Sequence, residues 1–259
     1  MKTKYKYYFY ISLLFSIFLG VILFLYFNSL KTFRVAHAGG EYNGIKYTNS
    51  IAAMNFNSKY TKYIELDLQL TKDNRLVCVH DPLMHDKYFN EVKQDPKLRA
   101  RLNPLDKQFP ENDFCYDDTL KKFLEENQEI IIITDFKTDN LTGLKFIKSY
   151  FEQFSSRFIP QIYNEDEYFA VKKLGYEEII FTLYRVGSYS NEKIIKIIEN
   201  LDLFGLTMDP PRLRSGIVEK IKNKDFFIYV YTVNSYLRYL QYKIFFGADE
   251  IYTDNLFQF

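Results

Sequence analysis

The chain has 259 residues, 47% of them hydrophobic, enough for one domain with a substantial core and too few for two of ordinary size. Its 34 basic residues are balanced by 33 acidic ones, so no basic footprint for nucleic acid is present, and nucleic acid is not expected as a partner. Aromatic content reaches 19% with no Trp, which reads as a bias of composition more than a signal of function.

The chain opens with Lys2, Lys4 and Lys6, followed by a stretch from Tyr7 to Leu30 without a charged residue. Residues 11–27 are dense in Leu, Ile, Phe and Val and are long enough to cross a bilayer as a helix. The run ends in Leu25, Tyr26, Phe27 and Asn28 rather than in the small residues of a cleavage site. Residues 1–30 are therefore expected to be a cytoplasmic stub and a single transmembrane anchor. Lysines before the span place residues 31–259 on the extracytoplasmic side of the cell membrane.

Beyond the anchor, apolar strand-like runs alternate with helix-like segments. The runs are 33–39, 63–70, 130–137, 158–163, 178–184, 203–208, 226–233 and 250–253. Between them lie helical patterns at 48–59, 118–126, 140–154, 165–174, 191–201, 216–224 and 235–246. Eight such repeats predict an α/β fold of the TIM (β/α)8 barrel type, with an open doubly wound sheet as its rival. A ninth run, 76–79, follows a turn at Asp73-Asn74 and is expected to fold back on the second strand as a hairpin. Residues 81–117 are polar and carry Pro82, Pro96, Pro104 and Pro110, so they read as a loop excursion over the barrel mouth. Only Cys78 and Cys115 are present, enough for one disulfide across the start of that excursion, with two unpaired thiols as the alternative.

Polar residues collect where the runs end. Glu65 and Asp67 are two apart on one strand, and so are Asp135 and Lys137 at the end of another, so each pair shares a face. Carboxylates on apolar strands are costly to bury without a metal or a counter-charge. Glu65, Asp67 and Asp135 can thus converge on one cation, and hard oxygen donors suit Mg²⁺ or Ca²⁺. Of the three histidines, His37 and His80 sit at strand ends beside these acids, while His85 has no such neighbours. Two imidazoles and a hard cation fit phosphodiester cleavage, with one His as base, the other as acid, and Lys137 at the phosphate. All of these positions fall at the carboxyl ends of strands, where barrels of this type carry their active sites.

The same residues resemble a known family. Ala36-His37-Ala38-Gly39-Gly40, Asn49 within Tyr47-Thr48-Asn49-Ser50, Ile64-Glu65-Leu66-Asp67, Leu70-Thr71-Lys72-Asp73 and Val79-His80-Asp81 are similar to the consecutive motifs of the glycerophosphodiester phosphodiesterases. Tyr231-Thr232-Val233-Asn234, Gly247-Ala248-Asp249 and Thr253-Asp254 continue the likeness to the end of the chain. The resemblance implies a TIM barrel, a divalent cation held by Glu65, Asp67 and Asp135, and His37 and His80 as the catalytic acid and base. It also places Asn49 and Tyr231 with Lys137 as candidate substrate-binding residues, although a loop-fixing or capping role suits Asn49 and core packing suits Tyr231. Asp249 and Asp254 are expected to close the last strand. Two positions depart from the family: Ala38 stands where Arg usually follows the first His, and Asp135-Phe136-Lys137 stands where Glu-x-Lys is usual. The second departure, with Pro160-Gln161-Ile162-Tyr163 and Phe181-Thr182-Leu183-Tyr184, resembles the sphingomyelinase D branch.

The expected substrate is a glycerophosphodiester or a (lyso)phospholipid headgroup. The alternatives are a phosphodiester-linked surface glycan or its precursor, and a catalytically silent barrel that binds a phosphate headgroup or a partner. A silent barrel has no need to keep both histidines, all three acids and Lys137.

Overall fold

The computed structural model describes residues 8, 10–20, 33–81, 83, 87–95, 113–221 and 225–258. Two compact units divide the chain at residues 32 and 33. The first is helical at residues 10–20, with Leu14, Phe15 and Phe18 exposed. Eleven helical residues rise about 16 Å, roughly half a hydrocarbon core. Among the described residues no helix is long and apolar enough to cross a membrane. The remainder of the expected anchor, residues 21–30, lies outside the described residues.

The second unit is built on nine strands: β1 (Val35–Ala36), β2 (Tyr63–Leu70), β3 (Leu76–Cys78), β4 (Ile131–Phe136), β5 (Phe158–Ile162), β6 (Ile180–Thr182), β7 (Gly205–Met208), β8 (Phe227–Val230) and β9 (Glu250–Thr253). β1 pairs in parallel with both β2 and β9, and the pairing runs without a break from β2 through β4 to β9, so eight parallel strands close into a barrel. The predicted barrel is therefore present, and the open doubly wound sheet is excluded. β3 runs antiparallel on β2 as the expected hairpin, turned by Asn74 at a φ of 57°.

Strand periodicity divides the core in two. Val35, Tyr63, Ile133, Ile159, Ile180, Tyr229 and Tyr252 fill the lower barrel interior. Ile64, Leu66, Leu68, Ile132 and Phe136 point outward into the layer beneath the helices. Gly143 makes one such contact possible, because a Cβ there would meet the Phe136 ring at 2.2 Å. Since Tyr63 faces inward, Glu65 and Asp67 do so too, toward the carboxyl end of β2.

Three expectations are corrected. The run 33–39 is a strand only at Val35–Ala36; His37–Gly39 forms a 3₁₀ turn in which the Gly40 amide donates to the His37 carbonyl at 2.8 Å. That turn carries His37 off the strand and over the mouth. The polar excursion holds a helix, Phe89–Gln94, because Phe89 and Val92 share a face and are buried with Val77, Val79 and Phe114, while Asp73 accepts from the Phe89 amide at 2.8 Å. Burying two such side chains contributes about 1.5–3 kcal/mol each. The pattern at 216–224 is helical at Ile217–Lys220, after Gly216 at a φ of 77°, with residues 222–224 outside the described residues; a further short helix, Pro210–Arg214, precedes it where none was expected.

Cys78 and Cys115 are bonded, and the Cys78 amide donates to the Cys115 carbonyl at 3.0 Å. The bond closes a loop of 37 residues, which constrains the unfolded chain by roughly 4 kcal/mol in the chain-entropy account. Replacing both cysteines by Ser, or adding a strong reductant, should lower the melting temperature by about 10 °C in thermal scans.

Candidate active site at the barrel mouth

Parallel pairing of β2 with β4 sets Asp67 directly beside Asp135, and Glu65 lies one inward step below. All three carboxylates are buried, and each offers an oxygen within 4.8 Å of the others. Three negative charges this close in a protein interior are strongly unfavourable without compensation. Part of it comes from Lys137, whose Nζ lies 2.5 Å from Asp67 and 2.8 Å from Asp135. Burial opposes the Lys137 ammonium, but Asp135, Asp67 and Glu65 outweigh it and hold the amine charged. It does not suffice for Glu65: burial, then the Asp67 charge, raises its carboxyl to about 8 against partial relief from His37. A buried set of hard oxygen donors with unresolved negative charge fits a divalent cation.

Each acid is oriented by neighbours. Glu65 accepts from the Ala38 amide at 2.7 Å, so at the residue where the family usually carries Arg it is the backbone that serves the site. Asn49 clasps Asp67 twice: its Nδ2 donates to the carboxylate and its Oδ1 accepts from the Asp67 amide, both at 2.9 Å. Helix capping falls instead to Ser50, which accepts from Ala53. Asp135 accepts from the hydroxyls of Tyr163 and Tyr184, and the Arg185 guanidinium stacks 3.6 Å over Tyr163 while donating to the Phe136 carbonyl.

The two imidazoles meet at one cavity. His37, Glu65, His80, Asp135, Lys137 and Tyr231 all line a space of ≈ 230 Å³, with Tyr47 among them. The Tyr47 ring stands edge-on to both imidazoles, with centroids 4.8 Å from His37 and 5.5 Å from His80. His80 is half exposed at the rim, 3.4 Å from Asp81. His37 is enclosed, and its Nδ1 bonds Asp254 at 2.8 Å. Asn234 donates to the other Asp254 oxygen at 2.6 Å, and Lys46 lies 3.7 Å from it. Burial works against the His37 imidazolium, yet the Asp254 hydrogen bond and the fields of Glu65, Asp254 and Asp67 prevail, and its pKa is raised. With Nδ1 held by a carboxylate, Nε2 is the ring nitrogen left to exchange a proton.

The structure thus brings His37, Glu65, Asp135, Lys137, His80 and Tyr231 together, with Asp67 among the clustered acids and Asn49 behind it. Sequence reasoning assigned Asp254 to strand closure and passed over its bond to His37. It placed Tyr163 and Tyr184 in a family likeness without seeing that both reach Asp135, although Tyr163 follows β5 directly and Tyr184 stands two residues beyond β6, at the strand ends where site residues concentrate.

The model of the glycerophosphoryl diester phosphodiesterase family matches residues 37–257. The chain belongs to that family, and thereby to the phosphoric diester hydrolases. No curated protein matches it. Among solved structures it is similar to a glycerophosphodiester phosphodiesterase from Parabacteroides distasonis, with 20% identity, a TM-score of 0.65 and coverage of 85% of this chain and 92% of that one. A phosphodiesterase from Oleispira antarctica in complex with the product sn-glycerol-3-phosphate shares 16% identity and a TM-score of 0.66, covering 87% and 94%. A glycerophosphodiester phosphodiesterase from Thermotoga maritima shares 18% identity and a TM-score of 0.62, covering 86% and 94%. At these identities the likeness establishes the fold.

Raised Glu65 and His37 pKa values fix the sign of the pH dependence. Each group binds its proton more tightly folded than unfolded, so the stability it contributes is full below its ordinary value, 4.5 or 6.5, and is lost as pH rises through the folded value, about 8 for Glu65. In chelator, the melting temperature should fall between pH 5 and 8.5. A divalent cation, which binds the ionised acids, should raise it most at the alkaline end. A flat profile in chelator would contradict this electrostatic account.

Proposed function

We propose that this protein is a divalent-cation-dependent phosphodiesterase acting on a glycerophosphodiester or a (lyso)phospholipid headgroup. Glu65, Asp67 and Asp135 would hold Mg²⁺ or Ca²⁺, which when bound neutralises charge on a non-bridging phosphate oxygen. His37 and His80 divide the proton transfers. One takes the proton of the attacking hydroxyl and the other gives a proton to the leaving alkoxide. Asp254 keeps His37 in the tautomer that presents Nε2 to substrate. Lys137 adds positive charge at the phosphate, Tyr231 bounds the substrate cavity, and Asn49 acts through Asp67. The observation that carries this reading is the joint placement of both imidazoles, Lys137 and the acidic cluster around one ≈ 230 Å³ cavity at the carboxyl end of a closed parallel barrel.

The uncharged N-terminal stretch and the preceding lysines support anchoring in the cell membrane with the barrel outside. The Cys78–Cys115 bond suits an oxidising, extracytoplasmic setting. Resistance to alkaline extraction together with protease access in intact cells would bear this out; release by alkali would refute it.

Purified full chain with Mg²⁺ or Ca²⁺ should hydrolyse glycerophosphocholine, a lysophospholipid or a bis-aryl phosphodiester. His37→Ala and His80→Ala should each lower kcat by 10²-fold or more. Asp254→Asn, which keeps the side chain's shape but removes its charge, should lower the His37 pKa when followed by NMR in metal-free protein. Undiminished turnover in either histidine variant would refute the acid–base assignment.

Glu65→Gln and Asp67→Asn should weaken divalent-cation binding in calorimetry by at least tenfold. Unchanged affinity in both would remove the proposed cation site.

A further inference from the structure

One helix of the barrel is apolar on both of its sides. In Tyr236–Phe246 the inward side carries Tyr242, buried with its hydroxyl accepting from Arg214 at 3.1 Å, and Tyr239 and Phe246, which pack on the core. On the outward side Leu237, Ile244 and Phe245 are 77%, 68% and 72% exposed, and spacings of seven and eight residues set them on one face. Other helices turn charge outward instead: Lys122, Glu125 and Glu126 on Asp117–Glu126, and Glu192, Lys193 and Lys196 on Asn191–Ile198.

The edges of this apolar face are cationic. By helical periodicity Arg238 borders it on one side and Lys243 with Tyr236 on the other, all three exposed. The helix itself contains no carboxylate, and Lys243 finds its acid, Glu250, 3.5 Å away on β9. Apolar exposure continues on the neighbouring segments: Phe257, in the turn Leu256–Gln258, stands edge-on to Tyr60, just beyond the helix Ile51–Asn57, with centroids 6.0 Å apart. These segments flank β9 and β1, the side on which Phe33 leads into the barrel. Only Lys31 and Thr32 separate Phe33 from the uncharged stretch that ends at Leu30, and two residues span about 7 Å at most.

We propose that the outward face of Tyr236–Phe246 docks on the surface of a bilayer with anionic headgroups, Leu237, Ile244 and Phe245 entering the acyl boundary while Arg238 and Lys243 meet phosphates. The contact rests on the membrane-anchor reading and adds to it a second point of attachment, made by the barrel itself. An apolar stripe edged by cations and a tyrosine is the pattern of a helix lying in the plane of a membrane interface. Long cationic side chains at its borders keep their heads among the headgroups while their stems pack on lipid. So short a tether keeps the bilayer at high effective concentration, so a modest apolar contact suffices. A second copy of this helix fits less well, because a two-fold pairing sets the surface against itself and brings its cations together with no carboxylate on the helix to answer them.

The chain has no Trp, so a single introduced indole reports alone when excited beyond the tyrosine band. Full chain carrying Phe245→Trp is reconstituted in vesicles of equal parts phosphatidylcholine and phosphatidylglycerol, with and without lipid brominated on its acyl chains. Phe169→Trp, at an exposed position on the helix Glu165–Lys173 between β5 and β6, across the barrel from β1, is the control. Bromolipid should quench Phe245→Trp about twofold or more and leave Phe169→Trp unchanged. Adding Ile244→Glu beside the reporter should abolish that quenching, with an unchanged melting temperature showing that the protein is folded. No quenching at Phe245→Trp, equal quenching at both positions, or quenching that survives Ile244→Glu overturns the proposal. An unquenched but blue-shifted indole with cross-links between chains also overturns it, by assigning the face to a second copy. Anchoring fails separately: a chain stripped by alkali yet quenched at neutral pH keeps the contact and loses the anchor, whereas a chain that resists alkali and stays unquenched keeps the anchor and loses the contact.

Discussion

Three carboxylates forced together in a protein interior are the constraint on which the rest of this mouth depends. Parallel strand pairing fixes Asp67 beside Asp135, and strand periodicity puts Glu65 on the same side. The backbone leaves these acids no means of separating, so the surroundings must answer them. Lys137 supplies a charge, the Ala38 amide and Asn49 supply hydrogen bonds, and Tyr163 and Tyr184 supply hydroxyls. Breaking a buried charged network by removing one member leaves the others uncompensated, which is why such networks act as a unit.

The same field governs His37. An isolated enclosed imidazole would be neutral, but here Asp254, Glu65 and Asp67 together favour its charged form. Its Asp254 partner is in turn held by Asn234, a residue from the β8–β9 connection, so the last stretch of the barrel fixes an imidazole that emerges from the first. Closure of the barrel between β1 and β9 therefore orients this imidazole as well as completing the fold.

Much of this was legible in the chain. Alternation of apolar runs with amphipathic segments gave eight barrel strands because each parallel strand is buried on both faces and so must be apolar, and Tyr63–Leu70 and Glu250–Thr253 matched to the residue. The acids and histidines stood out because charge on such runs is rare. What stayed hidden depended on contacts across the ring. Asp254 looked like a strand terminator because its partner His37 is 217 residues away. Tyr163 and Tyr184 looked like strand aromatics, since nothing local distinguishes a packed phenol from one bonded to a carboxylate. The helix Phe89–Gln94 was masked by polar neighbours, and its two buried residues find their partners only once β3 has folded back.

The covalent clamp at Cys78 and Cys115 has a consequence for how this enzyme can diversify. His80 follows Cys78 by two residues, while the far end of the excursion is pinned at Cys115, immediately before the helix Asp117–Glu126. Both feet of the excursion are thus tethered to one point on the barrel rim. The bond therefore holds the start and the end of the excursion together whatever the length of chain between them, and His80, two residues beyond Cys78, keeps its address at the rim of the cavity when that length changes.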